Sequence, residues 1–128
     1  MGDRGNIAIE QPGATDTLFL YTHWGGSELT GSLASALFRG KRWEDPSYLS
    51  RIVLNELQGD DRGDTGFGIC VGRPDDNEYD IPVLRWVEVG TPNRPSQKLR
   101  IDYRDRRYTP DEFIVVFLPS TDELGTPL

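Results

Sequence analysis

Residues 5–27 decide the fold: Gly5-Asn6-Ile7-Ala8-Ile9-Glu10-Gln11-Pro12-Gly13-Ala14-Thr15-Asp16-Thr17, then Leu18-Phe19-Leu20-Tyr21-Thr22-His23-Trp24-Gly25-Gly26-Ser27. Asn6–Glu10 alternates, with Ile7 and Ile9 to one side, and reads as a strand. Pro12-Gly13 breaks it, and Thr17–His23 follows as a second strand with Leu18, Leu20 and Thr22 set against Phe19 and Tyr21. Two such runs around a Pro-Gly connection predict an antiparallel hairpin. Centred on that turn, the hairpin sets Ile9 opposite Leu18 and Ile7 opposite Leu20. The same register brings Arg4 opposite His23 and Asp3 near Trp24.

Gly25-Gly26 ends the hairpin, and Ser27 is read as the N-cap of a helix to about Arg39. Leu29, Leu33, Ala36 and Leu37 fall on one helical face, and Gly40 stops the run. Asp45-Pro46 starts a second helix, with Asp as cap and Pro in the first turn. Leu49, Ile52, Val53 and Leu57 form its apolar face and Gly59 closes it. Gly66–Gly72 is a short, nearly continuous apolar run that predicts a buried strand, with Cys70 as a core thiol. Ile81–Val89 and Gln97–Arg104 read as two further strands around a loop from Gly90 to Ser96.

Thr109-Pro110-Asp111-Glu112 pairs a Thr-x-x-Glu capping box with Pro at the first helical position. The cap favours a helix through Phe113–Phe117, while the β-branched residues there favour a last strand. The order β-β-α-α-β-β-β-α predicts an α+β fold: a mostly antiparallel sheet of about five strands with helices packed on one face. Residues 1–119 form a single domain, and 120–128, rich in Thr, Pro and Gly, a loosely held tail.

Composition narrows the chemistry. The chain of 128 residues has 14 Lys+Arg against 21 Asp+Glu, one Cys and one His. One of each excludes an intramolecular disulfide and a Cys/His metal cluster, and no metal or cofactor is expected. No apolar run reaches the ~20 residues of a membrane span. Met1-Gly2-Asp3-Arg4 lacks the apolar stretch of a signal peptide, and Asn6 breaks a myristoylation pattern. A cytoplasmic protein is the expectation. The net charge of −7 argues against nucleic acid as a general partner. Residues 59–80 concentrate that charge, with seven acids and two bases, and read as two solvated acidic loops around a strand. Within them, Asp60, Asp61 and Asp64 lack the spacing of a calcium loop.

The hairpin end gathers Asp3, Arg4, His23, Trp24, Gly25, Gly26 and Ser27. Arg4 and the amides of the following helix suit a phosphate or carboxylate, and Trp24 can stack on a ring. An imidazole can carry a proton, which makes His23 the candidate acid or base, with Asp3 as partner in a catalytic reading. Read as structure, Arg4 and Asp3 form a surface pair, Trp24 plugs the base of the helices and the glycines only turn. A second candidate surface is the basic stretch 94–107, which carries a local +4. With Val83, Val87 and Val89 on the core face, Trp86 falls on the outer face beside Arg100, near Lys98 and Arg104. Bases around an indole can receive a nucleotide. They equally form a solvated face.

Met1-Gly2-Asp3-Arg4-Gly5-Asn6-Ile7-Ala8-Ile9 followed by Leu20-Tyr21-Thr22-His23-Trp24-Gly25-Gly26 resembles a group of small, uncharacterised phage and actinobacterial proteins. These open Met-Gly-(Asp/Thr)-Arg and carry Tyr-x-His-Trp-(Gly/Asp)-Gly. The likeness covers residues 1–27. Where the group has Asp before the second Gly and an aromatic-Pro pair after it, this chain has Gly25 and Ser27. The resemblance implies phage or mobile-element provenance and a host-interaction or anti-defence role.

Three readings follow. The first is a non-enzymatic binding protein that sequesters a small anionic, nucleotide-like ligand or a host protein. The second is a hydrolase or phosphodiesterase using His23 with Asp3. The third is a structural or assembly subunit, with a homo-oligomer as one form.

Overall fold

The computed structural model describes residues 2–119, so the expected tail, 120–128, lies outside the described residues. Six strands and three helices follow in order: β1 (Gly5–Glu10), β2 (Leu18–Thr22), α1 (Leu29–Phe38), α2 (Pro46–Gln58), β3 (Phe67–Val71), β4 (Val83–Thr91), β5 (Arg94–Tyr103), β6 (Arg106–Tyr108) and α3 (Pro110–Phe117). A 3-10 turn, Gly26–Glu28, leads into α1. The architecture is α+β, with one sheet in the order β3-β2-β1-β4-β5-β6.

The hairpin register is the expected one, with Ile7 opposite Leu20 and Ile9 opposite Leu18. It holds because Ile7, Ile9 and Leu20 must share one face, and a slip of one residue would turn all of them out of the core. On that face they meet Leu33, Leu37, Leu49, Val53 and Phe113 from the three helices, all within one buried cluster. α2 starts as its sequence predicts: the Asp45 side chain accepts from the Tyr48 amide, and Pro46 occupies the first turn. α3 resolves the open choice at 113–117 in favour of helix. Its capping box is complete in both directions, and Phe113 is wholly buried.

Four expectations are corrected. First, the sheet has six strands and one parallel pair, β1 with β4, because the chain leaves β3 at one edge and re-enters beside β1. Second, the loop expected at Gly90–Ser96 is mostly strand. β4 and β5 pair out to Thr91 and Arg94, and Gly90, at φ 90°, takes a bend that leaves no room for a Cβ. Arg104, at φ 55°, then turns the chain into β6. Third, β3 lies at an edge, so Ile69 and Val71 are exposed and Cys70 is only half-buried. Fourth, β4 has the opposite phase to the one expected. Trp86 pairs with Leu99 and is buried at 9% exposure, on the core side, while Val83, Val87 and Val89 turn the other way.

The reason lies in β1. Parallel pairing sets Leu84 beside Ile9, so Leu84 and Trp86 inherit the core face that β1 already defines. The Trp86 indole then donates to the Trp43 carbonyl at 2.8 Å, which ties the sheet to the connection between α1 and α2.

On the other face of β1 and β2, Asn6, Ala8, Phe19 and Tyr21 are buried without any helix above them. The connection from β3 to β4, residues 72–82, is held over this face. The Asn6 side-chain amide donates to the carbonyls of Asp75 and Asp76 and to Asn77 Oδ1, at 3.2–3.3 Å. The Glu78 amide donates to the Arg4 carbonyl, and the Ala8 amide to that of Pro82.

Candidate functional site

The hairpin end is assembled much as the register implies, but its groups are committed to one another. The Asp3 amide donates to the His23 carbonyl at 2.7 Å, and the Gly26 amide to the Asp3 carbonyl at 2.7 Å. Gly26 has to be glycine, since a Cβ there would stand 2.7 Å from both that carbonyl and the Tyr79 ring. The Asp3 carboxylate accepts from the Ser27 amide at 3.0 Å and the Ser27 hydroxyl at 2.5 Å, while its other oxygen accepts from the Tyr79 hydroxyl. The amide offered to an incoming anion is therefore taken by a carboxylate of the chain itself. Ser27 is not a helix cap: it sits inside the 3-10 turn, and its hydroxyl points to Asp3.

Arg4 is likewise occupied. Its Nε lies 3.2 Å from Glu78 and its Nη1 3.3 Å from Asp76. The Arg4 amide donates to the same Glu78 oxygen at 2.9 Å. Arg4 thus clamps the 72–82 crossover, in place of the expected ligand contact.

His23 lies between two aromatic neighbours. Its Nδ1 is 2.7 Å from the Tyr21 hydroxyl, and its ring meets Trp24 edge-on at 4.4 Å between centroids. Burial, and then the charge of Asp75, push the Tyr21 hydroxyl above its ordinary pKa, so it keeps its proton. The Nε2 edge is crowded by Gly2, where an added Cβ would stand 2.9 Å away. The expected pairing of His23 with Asp3 is not formed: the carboxylate serves Ser27 and Tyr79, and the imidazole serves Tyr21.

Trp24 does not plug the helices. It is 61% exposed and lies against Gly66, the residue that leads into β3.

The second candidate surface is dispersed. Trp86 is in the core, Lys98 is exposed, and Arg104 sits at the β5–β6 turn with its Nε 2.8 Å from Asp80. Arg100 lies on the open face of the sheet, where its Nη2 donates to Asp102 at 2.9 Å. Arg85 bridges that carboxylate and Glu10, at 3.0 and 2.7 Å. The Nε groups of Arg85 and Arg100 stand at ion-pair distance from Asp102 without the alignment of a hydrogen bond. These cations are compensated in place.

The residues that the sequence leaves unmarked are those of the crossover: Asp76, Glu78 and Tyr79, all more than 70 positions from their partners Asp3 and Arg4. No short-range spacing announces such pairs. Asn6 carries the one local signal, an amide followed by the apolar run Ile7-Ala8-Ile9 in the same strand.

Hydrogen bonds from Ser27 and Tyr79 hold the Asp3 carboxyl below its ordinary range, and those from Arg4 do the same for Glu78. A carboxyl depressed by folding stabilises the folded state above its unfolded pKa, and that contribution is lost as pH falls through the folded value. The crossover is therefore expected to loosen below about pH 4. Protection of the amides across residues 73–82, taken relative to the intrinsic exchange rate at each pH, should fall there. In an Asp3→Asn, Glu78→Gln double variant that protection should be low already at neutral pH and nearly unchanged by acid.

Among the described residues no group of three or more His, Cys, Asp or Glu side chains is placed to hold a metal ion. No helix among them is long and apolar enough to cross a membrane. Comparison with protein-family models, curated proteins and solved structures finds no match.

Proposed function

We propose that the chain is a binding protein whose partner is another protein, engaged at the corner where Trp24 meets the β3 edge. One observation carries this reading. The groups suited to an anion or to proton transfer are satisfied internally, while Trp24, Ile69 and Val71 present 61%, 58% and 67% of their surface to solvent. An exposed indole beside exposed aliphatic side chains is the composition of an interface anchor. The small anionic ligand is the less favoured form of the reading, because Arg4 lies between two carboxylates. The N-terminal resemblance adds a host protein, in an anti-defence role, as the kind of partner to test first.

Trp24→Ala is the deciding variant. Its side chain is mostly outside the core, so unfolding stability should change by less than about 1 kcal/mol. Loss of an interface anchor should weaken partner binding by at least about 2 kcal/mol, roughly thirtyfold. Native mass spectrometry of wild type and variant from a host-like lysate reads both possibilities. A protein adduct lost in Trp24→Ala supports the proposal. A small anion retained by wild type and lost in Arg4→Ala, or turnover of a substrate lost in His23→Ala, overturns it.

A further inference from the structure

The two edges of the sheet are built differently. β6 is three residues long, and its Arg106 and Arg107 are exposed, the short, charged design that discourages pairing. β3, Phe67-Gly68-Ile69-Cys70-Val71, has no charge, no Pro and no Lys. Its backbone groups can be assigned one by one. The His23 amide donates to Gly66 and the Gly72 amide to Thr17, at 2.8 and 2.9 Å. With the β2–β3 register, those two bonds mark Gly66, Gly68, Cys70 and Gly72 as the residues that exchange hydrogen bonds with β2. Phe67, Ile69 and Val71 therefore direct their N–H and C=O groups outward, away from the sheet. The three outward rungs coincide with the apolar side chains, of which Ile69 and Val71 are the most exposed.

Charge sets what can pair there. Exposed Asp60, Asp61 and Asp64, against Arg62, make the approach to the strand acidic. Asp75 and Asp76, beyond its far end, are drawn back over β1 by Asn6 and Arg4. The approach to the edge is thus acidic, in a chain of net −7. A second copy would bring like charge to like charge, whereas an extended segment flanked by Lys or Arg meets the opposite sign.

We propose that β3 receives an extended, positively flanked strand of a partner protein, which adds to the sheet as a seventh strand. The addition rests on the protein-binding reading above and names how the partner docks. Main-chain hydrogen bonds from Phe67, Ile69 and Val71 supply affinity, and the side chains of Ile69 and Val71 supply an apolar seat. Trp24, against Gly66 at one end of the strand, marks where the added segment would pass beside an indole.

The test uses two synthetic peptides of alternating Thr and Val, one flanked by Lys pairs and one by Glu pairs, with amide exchange followed by NMR on the whole chain. The Lys-flanked peptide should slow exchange at Phe67, Ile69 and Val71 and leave Gly68 and Cys70, already bonded to β2, little changed. Ile69→Pro removes an outward donor that β2 does not use and should weaken that peptide by about tenfold or more. Ile69→Lys, a substitution at an exposed side chain, should do the same by adding a like charge if the proline variant does not fold. Equal binding of the Glu-flanked peptide overturns the proposal. So does slowing of the three amides by protein concentration alone, which would make the occupant a second copy. If neither peptide acts while Trp24→Ala still abolishes partner capture, strand addition fails and the protein-binding reading stands.

Discussion

Asn6→Asp is expected to be the most damaging conservative substitution in the hairpin, costing about 3–5 kcal/mol of unfolding free energy at neutral pH. Asn6 is wholly buried, and its amide nitrogen faces two backbone carbonyls and the Asn77 side-chain oxygen. A carboxylate in its place presents acceptor to acceptor, beside Asp75 and Asp76, and the neighbouring cation, Arg4, is already engaged at Asp76 and Glu78. Burial would raise the carboxyl's pKa, so the destabilisation should grow as pH rises above about 4 and shrink in acid, where the neutral acid can again donate. Urea titrations at two pH values give both the size and the sign. A loss equal at both would mean that Asn6 acts by shape alone.

The second large effect is expected at Trp86. Were the indole on the outer face, as the alternation of Val83, Val87 and Val89 first implies, Trp86→Ala would cost little. In the core, with its N–H on the Trp43 carbonyl, the same change should cost about 3–5 kcal/mol and leave that carbonyl without its donor. Trp86→Phe separates the two contributions, since it keeps most of the ring volume and loses only the bond, at about 1–2 kcal/mol. Thermal or denaturant unfolding of the pair measures the difference. A cost below 1 kcal/mol for the alanine variant would return Trp86 to the surface.

These two residues show what could be read in advance. The hairpin was legible because turn and alternation are both local: Pro12-Gly13 fixes the centre, and Ile7, Ile9 and Leu20 fix the phase. α3 was legible for the same reason, since Thr109 and Glu112 cap within one turn. β4 was not. It is a central strand with apolar residues on both sides, so Val83-Val87-Val89 and Leu84-Trp86 fit a period of two equally well. The choice is made by Ile9, a neighbour 75 positions earlier in the chain. At the hairpin end the gathering of Asp3, Arg4, His23 and Ser27 followed from register. What those groups bind did not, because Glu78 and Tyr79 arrive by the crossover. The identity of an edge strand is similarly non-local: Gly66–Gly72 looks like a core run and becomes an edge only because β4 inserts on the far side of β1.

That insertion has a bearing on how the molecule is made. β1 is synthesised first among the strands, yet it ends up in the middle of the sheet, with one neighbour about ten residues downstream and the other about 75. While the ribosome is still adding the helices, one flank of β1 stands bare. The parallel rung is a long-range closure, and such closures form slowly. A nascent chain halted before Val83 would hold β1 to β3 and two helices around a half-finished core, the stage at which chaperone capture is most to be expected.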